Sequence, residues 1–480
     1  MRRSVPRAVV VSALVSGVFA AYGSCAAAGL GLIYEFPPTA DGTARSGGAP
    51  SAGVTQDAFG DLYGTTVDGG NYDTNGYGGG VVYKLAPPAK GKTAWTESVL
   101  HAFTGGADGI FPGSGNLIVS AGNIYGTTNG NVSIGLCGAN QNISCDTIFK
   151  LEHPAAGKAN YTYSLLYRFA APTKGFEPTG GLIINKAGAL IGAAKAGGNM
   201  NCQSSFTNEQ GTKGCGAIYE LEPPAKGKTA WTYSVIHLFT GGADGGLPAS
   251  ALLADPSGSG VLYGTASTGG SQNCSLGAAN CGVVFKLTPP AGKATKWTET
   301  VLYSFTGQTD GADPLAALVI DGAGNLYGTT SAAGDACQVF SGCGTAFELI
   351  KEKSGYRFKA LHGFAGGTDG SIPLAALTLG KGGTLYGTTS RYGDTNVECG
   401  SAIGCGTVFK LNPPTRDIPV WTETVLYRFN SGPGGGASSA SLRLNAKSGL
   451  LYGTASQGGN KNCMLASFTV GCGVVFSLHE

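Results

Sequence analysis

The block Leu-Tyr-Gly-Thr, or a close variant of it, recurs seven times along the 480 residues, with its second position at Tyr63, Tyr125, Ile191, Tyr263, Tyr327, Tyr386 and Tyr452. Copies lie 59 to 72 residues apart, and each is followed by the same succession of segments. First comes an apolar run ending Phe/Tyr-x-Leu, as in Val81 to Leu85, Val283 to Leu287 and Val474 to Leu478. A Pro-Pro or equivalent turn leads to an alternating run such as Trp95, Glu97, Val99, His101, Phe103. A stretch ending in Asp or Asn and Gly, such as Leu318 to Gly324, closes the unit. Period-two alternation, β-branched and aromatic enrichment and Gly/Pro punctuation specify strands, and no window carries the 3.6-residue spacing of a long amphipathic helix. Four short strands repeated seven times predict an all-β fold, a seven-bladed β-propeller with four strands per blade.

The ends of the chain decide between a ring and an open array. We name the strands A (the Asp/Asn-Gly stretch), B (LYGT), C (VVFKL) and D (WTETVLYSF). A lone D strand, Leu32 to Phe36, opens the repeats, and the last copy stops after its C strand at Leu478. The N-terminal strand therefore completes the last blade, with Tyr34 and Phe36 where His101 and Phe103 stand in the second D strand. A ring so closed leaves no free sheet edge.

Glycine accounts for 82 residues and charged residues for only 12%, against the ~25% usual in globular domains, so the surface is neutral and rich in turns. A net charge of +2 without any basic, aromatic-interleaved block gives no footprint for nucleic acid. Residues 1–28 read as a signal peptide: Arg2, Arg3 and Arg7, an apolar stretch from Ala8 to about Tyr22, then small residues. Cleavage beside Ala28 leaves residues 29–480 as one repeat domain. Lipid attachment at Cys25 is the alternative, although Tyr22 fits a lipoprotein box poorly. A transmembrane span would need roughly 20 apolar residues and is not expected.

Twelve of the 13 cysteines fall in pairs between strands B and C: Cys137 and Cys145, Cys202 and Cys215, Cys274 and Cys281, Cys337 and Cys343, Cys399 and Cys405, Cys463 and Cys472. None is Cys-x-x-Cys, and pairs in separate blades cannot converge on one tetrahedral ion, so disulfides within each loop are expected rather than metal thiolates. The first repeat lacks a pair. Its loop reads Asn71, Asp73, Asn75, Gly76, the spacing of a calcium loop, which makes Ca²⁺ the one cofactor the sequence suggests. Val82 at the twelfth place, where a bidentate Glu belongs, favours a plain turn.

The LYGT, GVVFKL and WTETVLYSF blocks with GGxDG between them resemble the Gloeo/Verruco (GloVer) tandem repeat of exported bacterial proteins, over about Leu30 to Glu480. The resemblance implies an extracytoplasmic location, periplasmic or secreted, and supplies no catalytic residues.

In an up-and-down blade the B–C and D–A loops emerge at the same end. Asp41, Asp108, Asp244, Asp310 and Asp369 each precede Gly in a D–A loop. They either make the turn, the simpler reading, or present a rim of carboxylates to a cation or polar ligand. His101, His237 and His362 share the register of Tyr303 and Tyr427, which marks a packing position more readily than a general base. Trp95, Trp231, Trp297 and Trp421 share another and are read as strand packing. There is no Gly-x-Ser-x-Gly elbow or His-Glu-x-x-His helix, and Gly91-Lys92-Thr93 and Gly227-Lys228-Thr229 lack the first glycine and helix of a phosphate loop. Two functions follow: a non-catalytic scaffold or binding module offering the cysteine-loop face to a glycan or cell-surface protein, or an extracytoplasmic carbohydrate-active enzyme, a lyase or hydrolase. An enzyme should break the symmetry with an unusual polar cluster. Lys174-Gly175 for Asp-Gly and Ile191 for Tyr in the third copy form no acid/base pair, so binding or scaffolding is favoured.

Overall fold

A computed structural model describes residues 29–480 except 38–46, 71–77, 114, 131–145, 156–157, 159, 171, 203–213, 272–273, 276–280, 293–295, 335–341, 395–397, 400–401, 431, 433, 437 and 460–470. Seven four-stranded antiparallel sheets form a ring, each ordered A-B-C-D. In blade 1 the strands are Thr55–Gln56, Leu62–Thr66, Val81–Ala86 and Thr96–Ala102. Blade 7 is built from Arg443–Asn445, Leu450–Ala455, Val474–His479 and, as its D strand, Gly31–Glu35. Gly31 pairs with Ser477 and Glu35 with Val474, so the N-terminal strand closes the ring as the sequence predicts. Phe36 and Phe103 are both fully buried in equivalent places.

LYGT has a physical reason at each position. Leu faces the core, as Leu262 and Leu326 do. Gly is the seat for the aromatic ring of strand C: a Cβ at Gly328 would stand 2.6 Å from Cζ of Phe347. Thr reaches into the next blade: Thr265 Oγ1 donates to Ala316 O (3.1 Å), Thr388 Oγ1 to Ala440 O (3.3 Å) and Thr454 Oγ1 to Ala52 O (2.9 Å). The repeat is thus written for contact between blades as much as within them.

A second device, invisible as a strand signal, clips neighbouring blades. Each of Ala49, Phe111, Leu247, Asp313 and Ile372 precedes a proline and adopts a left-handed conformation, φ between 52° and 58°. Such a conformation costs a non-glycine residue ~1–3 kcal/mol and persists only where its surroundings over-determine it. Here the N–H donates to a backbone carbonyl of the preceding blade, as from Leu247 to Cys215 O (2.8 Å) and Ile372 to Cys343 O (2.8 Å). The carbonyl accepts from the end of strand B in its own blade, as from Ser331 N to Asp313 O (3.0 Å). The proline lies on a glycine at the foot of the preceding strand C. At Gly282, φ is 79° and an added Cβ would sit 2.5 Å from both Pro314 Cδ and Ala266 O. Neither a side chain nor a right-handed backbone fits there. These contacts also place the D–A and B–C loops at one end of the ring.

Candidate functional site

The GGxDG aspartates are used inside their own loops. Asp310 accepts from Thr306 N (2.8 Å), Thr306 Oγ1 (2.7 Å) and Tyr303 OH (2.9 Å). Asp108 does the same with Thr104 N (3.0 Å), Thr104 Oγ1 (2.6 Å) and His101 Nε2 (3.2 Å), and Asp244 takes the N–H and hydroxyl of Thr240. Asp369 accepts from Ala365 N (2.6 Å) and meets His362 Nε2 at 3.2 Å. Burial works against the Asp108 and Asp369 anions, but these donors prevail and hold both carboxyls below the usual aspartate range. Each carboxylate thus turns back toward the His or Tyr seven residues earlier instead of standing out from the rim. Asp41 lies outside the described residues.

Between blades, the His or Tyr at this register meets the residue four places before its counterpart in the next D strand. His101 stacks on Tyr163 (4.6 Å between ring centres), Tyr167 on Tyr233 (4.1 Å) and Tyr303 on Phe358 (4.6 Å). Where the chain closes, Tyr34 OH donates to Glu97 (3.0 Å). Two junctions differ, because a histidine there meets a glutamate. Between blades 3 and 4, His237, Asp244 and Glu299 share one junction, with His237 Nε2 3.9 Å from Asp244. Burial and then Asp244 push Glu299 up to about 7, while burial holds the His237 imidazole down. Between blades 5 and 6, His362, Asp369 and Glu423 bring one nitrogen and two carboxylate oxygens within 4.8 Å of one another. Burial and then the Asp369 carboxylate push Glu423 up to about 8.

Sequence reasoning placed the histidines and aspartates in register but did not join them. The signal was present: aligned D strands put Glu97, Glu299 and Glu423 in one column, four residues before the His/Tyr column. The tryptophans pack between blades, Trp95 against Tyr452 (6.2 Å) and Trp421 against Tyr327 (6.5 Å).

The axial channel, where the A strands converge, encloses about 300 Å³ and is lined by all seven repeats. Its wall is small and neutral, with Gly, Ala, Ser, Leu and Thr and the single amide of Asn116, and no ionisable side chain among the described residues.

Cys202 is bonded to Cys215 and Cys274 to Cys281, with Cα atoms 5.6 and 5.7 Å apart. Cys343, Cys405 and Cys472 are also disulfide-bonded. Cys137, Cys145, Cys337 and Cys463, Cys25 and the calcium candidates Asn71, Asp73 and Asn75 lie outside the described residues, as does the side chain of Cys399. Four bonded cysteines, Cys215, Cys281, Cys343 and Cys472, supply carbonyls to the interblade clips (2.8–3.2 Å). No helix among the described residues is long and apolar enough to cross a membrane.

The molecule is a closed, disulfide-braced seven-bladed propeller in which His–Asp pairs, two of them joined by a glutamate, sit at blade junctions. It belongs to the Gloeobacter/Verrucomicrobia repeat family, whose model matches residues 204–400 and 277–480, more than half of the chain. Family membership and disulfides, which persist in oxidising compartments, together fit an extracytoplasmic protein. No curated protein sequence matches the chain. Among solved structures it is similar to a luciferin-regenerating enzyme, at 12% identity and a TM-score of 0.39 over 90% of this chain and 92% of that one. A gluconolactonase from Xanthomonas campestris matches at 12% identity and a TM-score of 0.37, over 75% of this chain and 94% of that one. Neither likeness bears on what this chain does.

Proposed function

We propose that the protein is a non-catalytic, exported binding propeller that offers its B–C loops to a neutral polar ligand, a glycan or the glycosylated surface of another protein. The observation that carries this reading is where the repeats agree and where they differ. Strands and channel wall repeat around the ring and the clip recurs at five junctions, while the B–C loops differ in length and sequence, emerge at one end and are rich in Asn, Gln, Ser and Gly. Such side chains match hydroxyl-rich ligands, which need hydrogen bonds rather than charge. Bracing six of the seven loops lowers the ordering cost of binding, and the clip carbonyls on four disulfide cysteines fix braced loops to the frame. Residues 1–28 act as the export signal, with lipid attachment at Cys25 as the alternative fate, and all six cysteine pairs close within their own loops.

Two measurements test this. Non-reducing peptide mapping should find the six intraloop pairs, Cys137–Cys145, Cys337–Cys343, Cys399–Cys405 and Cys463–Cys472 included; pairing across blades would contradict it. A glycan array probed with the purified protein should give binding that weakens when 203–213 is replaced by the shorter loop of blade 5. Release of new reducing or unsaturated ends from a polysaccharide panel would instead establish the lyase or hydrolase alternative.

A further inference from the structure

We propose that the junction of blades 5 and 6 is a divalent transition-metal site formed by His362, Asp369 and Glu423. His362 belongs to strand D of blade 5, Gly355–Gly363, and Asp369 to the loop that follows it. Glu423 is the second residue of strand D in blade 6, Thr422–Arg428. The site thus spans two blades and is assembled only by the ring.

Four observations support it. Among the described residues this is the one group of three His, Cys, Asp or Glu side chains whose ligand atoms all lie within 4.8 Å of one another. Like Glu299 Oε1 at the junction of blades 3 and 4, Glu423 Oε1 is buried and accepts from no N–H or O–H donor among the described residues, and the Asp369 carboxyl is the acidic neighbour of Glu423. The nearby Arg428 guanidinium donates to the carbonyl of Thr368 (3.1 Å), and among the described residues the one ion-pair partner of either carboxylate is His362 itself, on Asp369. The remaining observation is internal to the repeat. Where the same His–Asp pair occurs between blades 1 and 2, Tyr163 covers it with a stacked ring and donates its hydroxyl to Asp108 O (3.0 Å). At the junction of blades 5 and 6 a second carboxyl group occupies that place, so two acidic groups share a half-buried setting that a bound dication would let both enter as anions.

One imidazole nitrogen and two carboxylates suit Zn²⁺ or Mn²⁺, with solvent filling the remaining positions through the partly exposed edge of His362 and Asp369. Ca²⁺ takes six to eight oxygens and is poorly served by this set. The ion would staple blade 5 to blade 6. The other His–Asp–Glu junction is a built-in control, because its histidine and aspartate stand 3.9 Å apart and its three ligand atoms do not converge as closely.

The test uses the full exported chain, stripped with chelator and titrated with ZnCl2, MnCl2 and CaCl2 in parallel, read by calorimetry and thermal melting. The expected result is one zinc or manganese per chain and a melting temperature raised by about 2–5 °C at a hundredfold excess over Kd. Both effects should vanish in Glu423→Tyr and His362→Tyr, which import residues other junctions already use and so keep the fold. Melting of each variant without metal at or near the wild-type temperature verifies that they fold. Absence of zinc and manganese binding, retention of binding by either folded variant, or an equal response to calcium would each overturn the site. In the first case the pair is a hydrogen-bonded carboxyl–carboxylate only.

Discussion

The junction that closes the ring and the junction between blades 2 and 3 depart from the common pattern in opposite ways. At closure the chain is discontinuous, yet the usual devices are present: Ala49 N donates to Cys472 O (2.8 Å), Pro50 lies on Gly473, and Tyr34 meets the next D strand. Between blades 2 and 3 the chain runs on, and Glu177 before Pro178 keeps the left-handed backbone (φ 55°), yet the acceptor of its N–H is replaced. Asp146 stands where the other junctions have glycine, and its carboxylate takes the N–H of the pre-proline residue Glu177 (2.8 Å) and of Gly130 (2.9 Å). The contrast shows that blade contact is enforced by donors and acceptors at the loop end, and that covalent continuity is not needed for it.

The largest expected effect comes from breaking closure. A chain starting at Thr39 loses Tyr34 and Phe36 and exposes the edge of Val474–His479. Burying one aromatic is worth roughly 1.5–3 kcal/mol, so the deletion should aggregate or melt far below the parent. A monomer with unchanged melting temperature would disprove the split blade. Next is Gly282→Ala at a regular junction, where the left-handed backbone and the approach of Pro314 should cost about 2–4 kcal/mol, measured by denaturant titration. Asp146→Gly makes the irregular junction resemble the others in sequence while removing its acceptor, and should cost about 1–3 kcal/mol. If it were neutral, the carboxylate would not be the clip at that junction.

The smallest effect concerns pH at the junction of blades 3 and 4, where Glu299 faces His237 and Asp244. The folded state holds the Glu299 proton up to about 7, above the unfolded value. Its contribution is therefore complete below the unfolded carboxyl range and lost as pH rises through 7. Depression of His237 acts at the other end, losing stability as pH falls below the ordinary imidazole range. Glu299→Gln should remove only the alkaline loss, so its melting temperature should exceed the parent's at pH 8 and converge with it at pH 5. Parallel pH profiles would show that Glu299 does not carry this dependence.

The frame was legible in the sequence because strands announce themselves by alternation, and seven aligned copies fix A, B, C and D, even the orphan strand at Leu32 to Phe36. Interblade chemistry was harder to read. Asp369 and Glu423 become neighbours only when one blade is laid beside the next, and no local pattern in either segment encodes that step. The left-handed conformation at Ile372, a β-branched residue before proline, runs against every local preference. It holds because partners on two blades demand it. The loop aspartates show a third case, since Asp-Gly signalled a turn correctly but not the His or Tyr toward which the carboxylate points.

Ser477 and Gly31 touch across 446 residues of sequence. A polypeptide made from its amino end delivers Gly31 early and Ser477 last. The opening strand must therefore wait, unpaired, while the ring is laid down, and the final pairing carries the largest loop-closure cost in the molecule. Once made, that seam holds the strands Gly31–Glu35 and Val474–His479 together, and a protease would find neither strand free until the seam itself opened. Resistance to digestion should then follow the rate at which this one strand lifts off, so the slowest contact to form is also the lock on the finished protein.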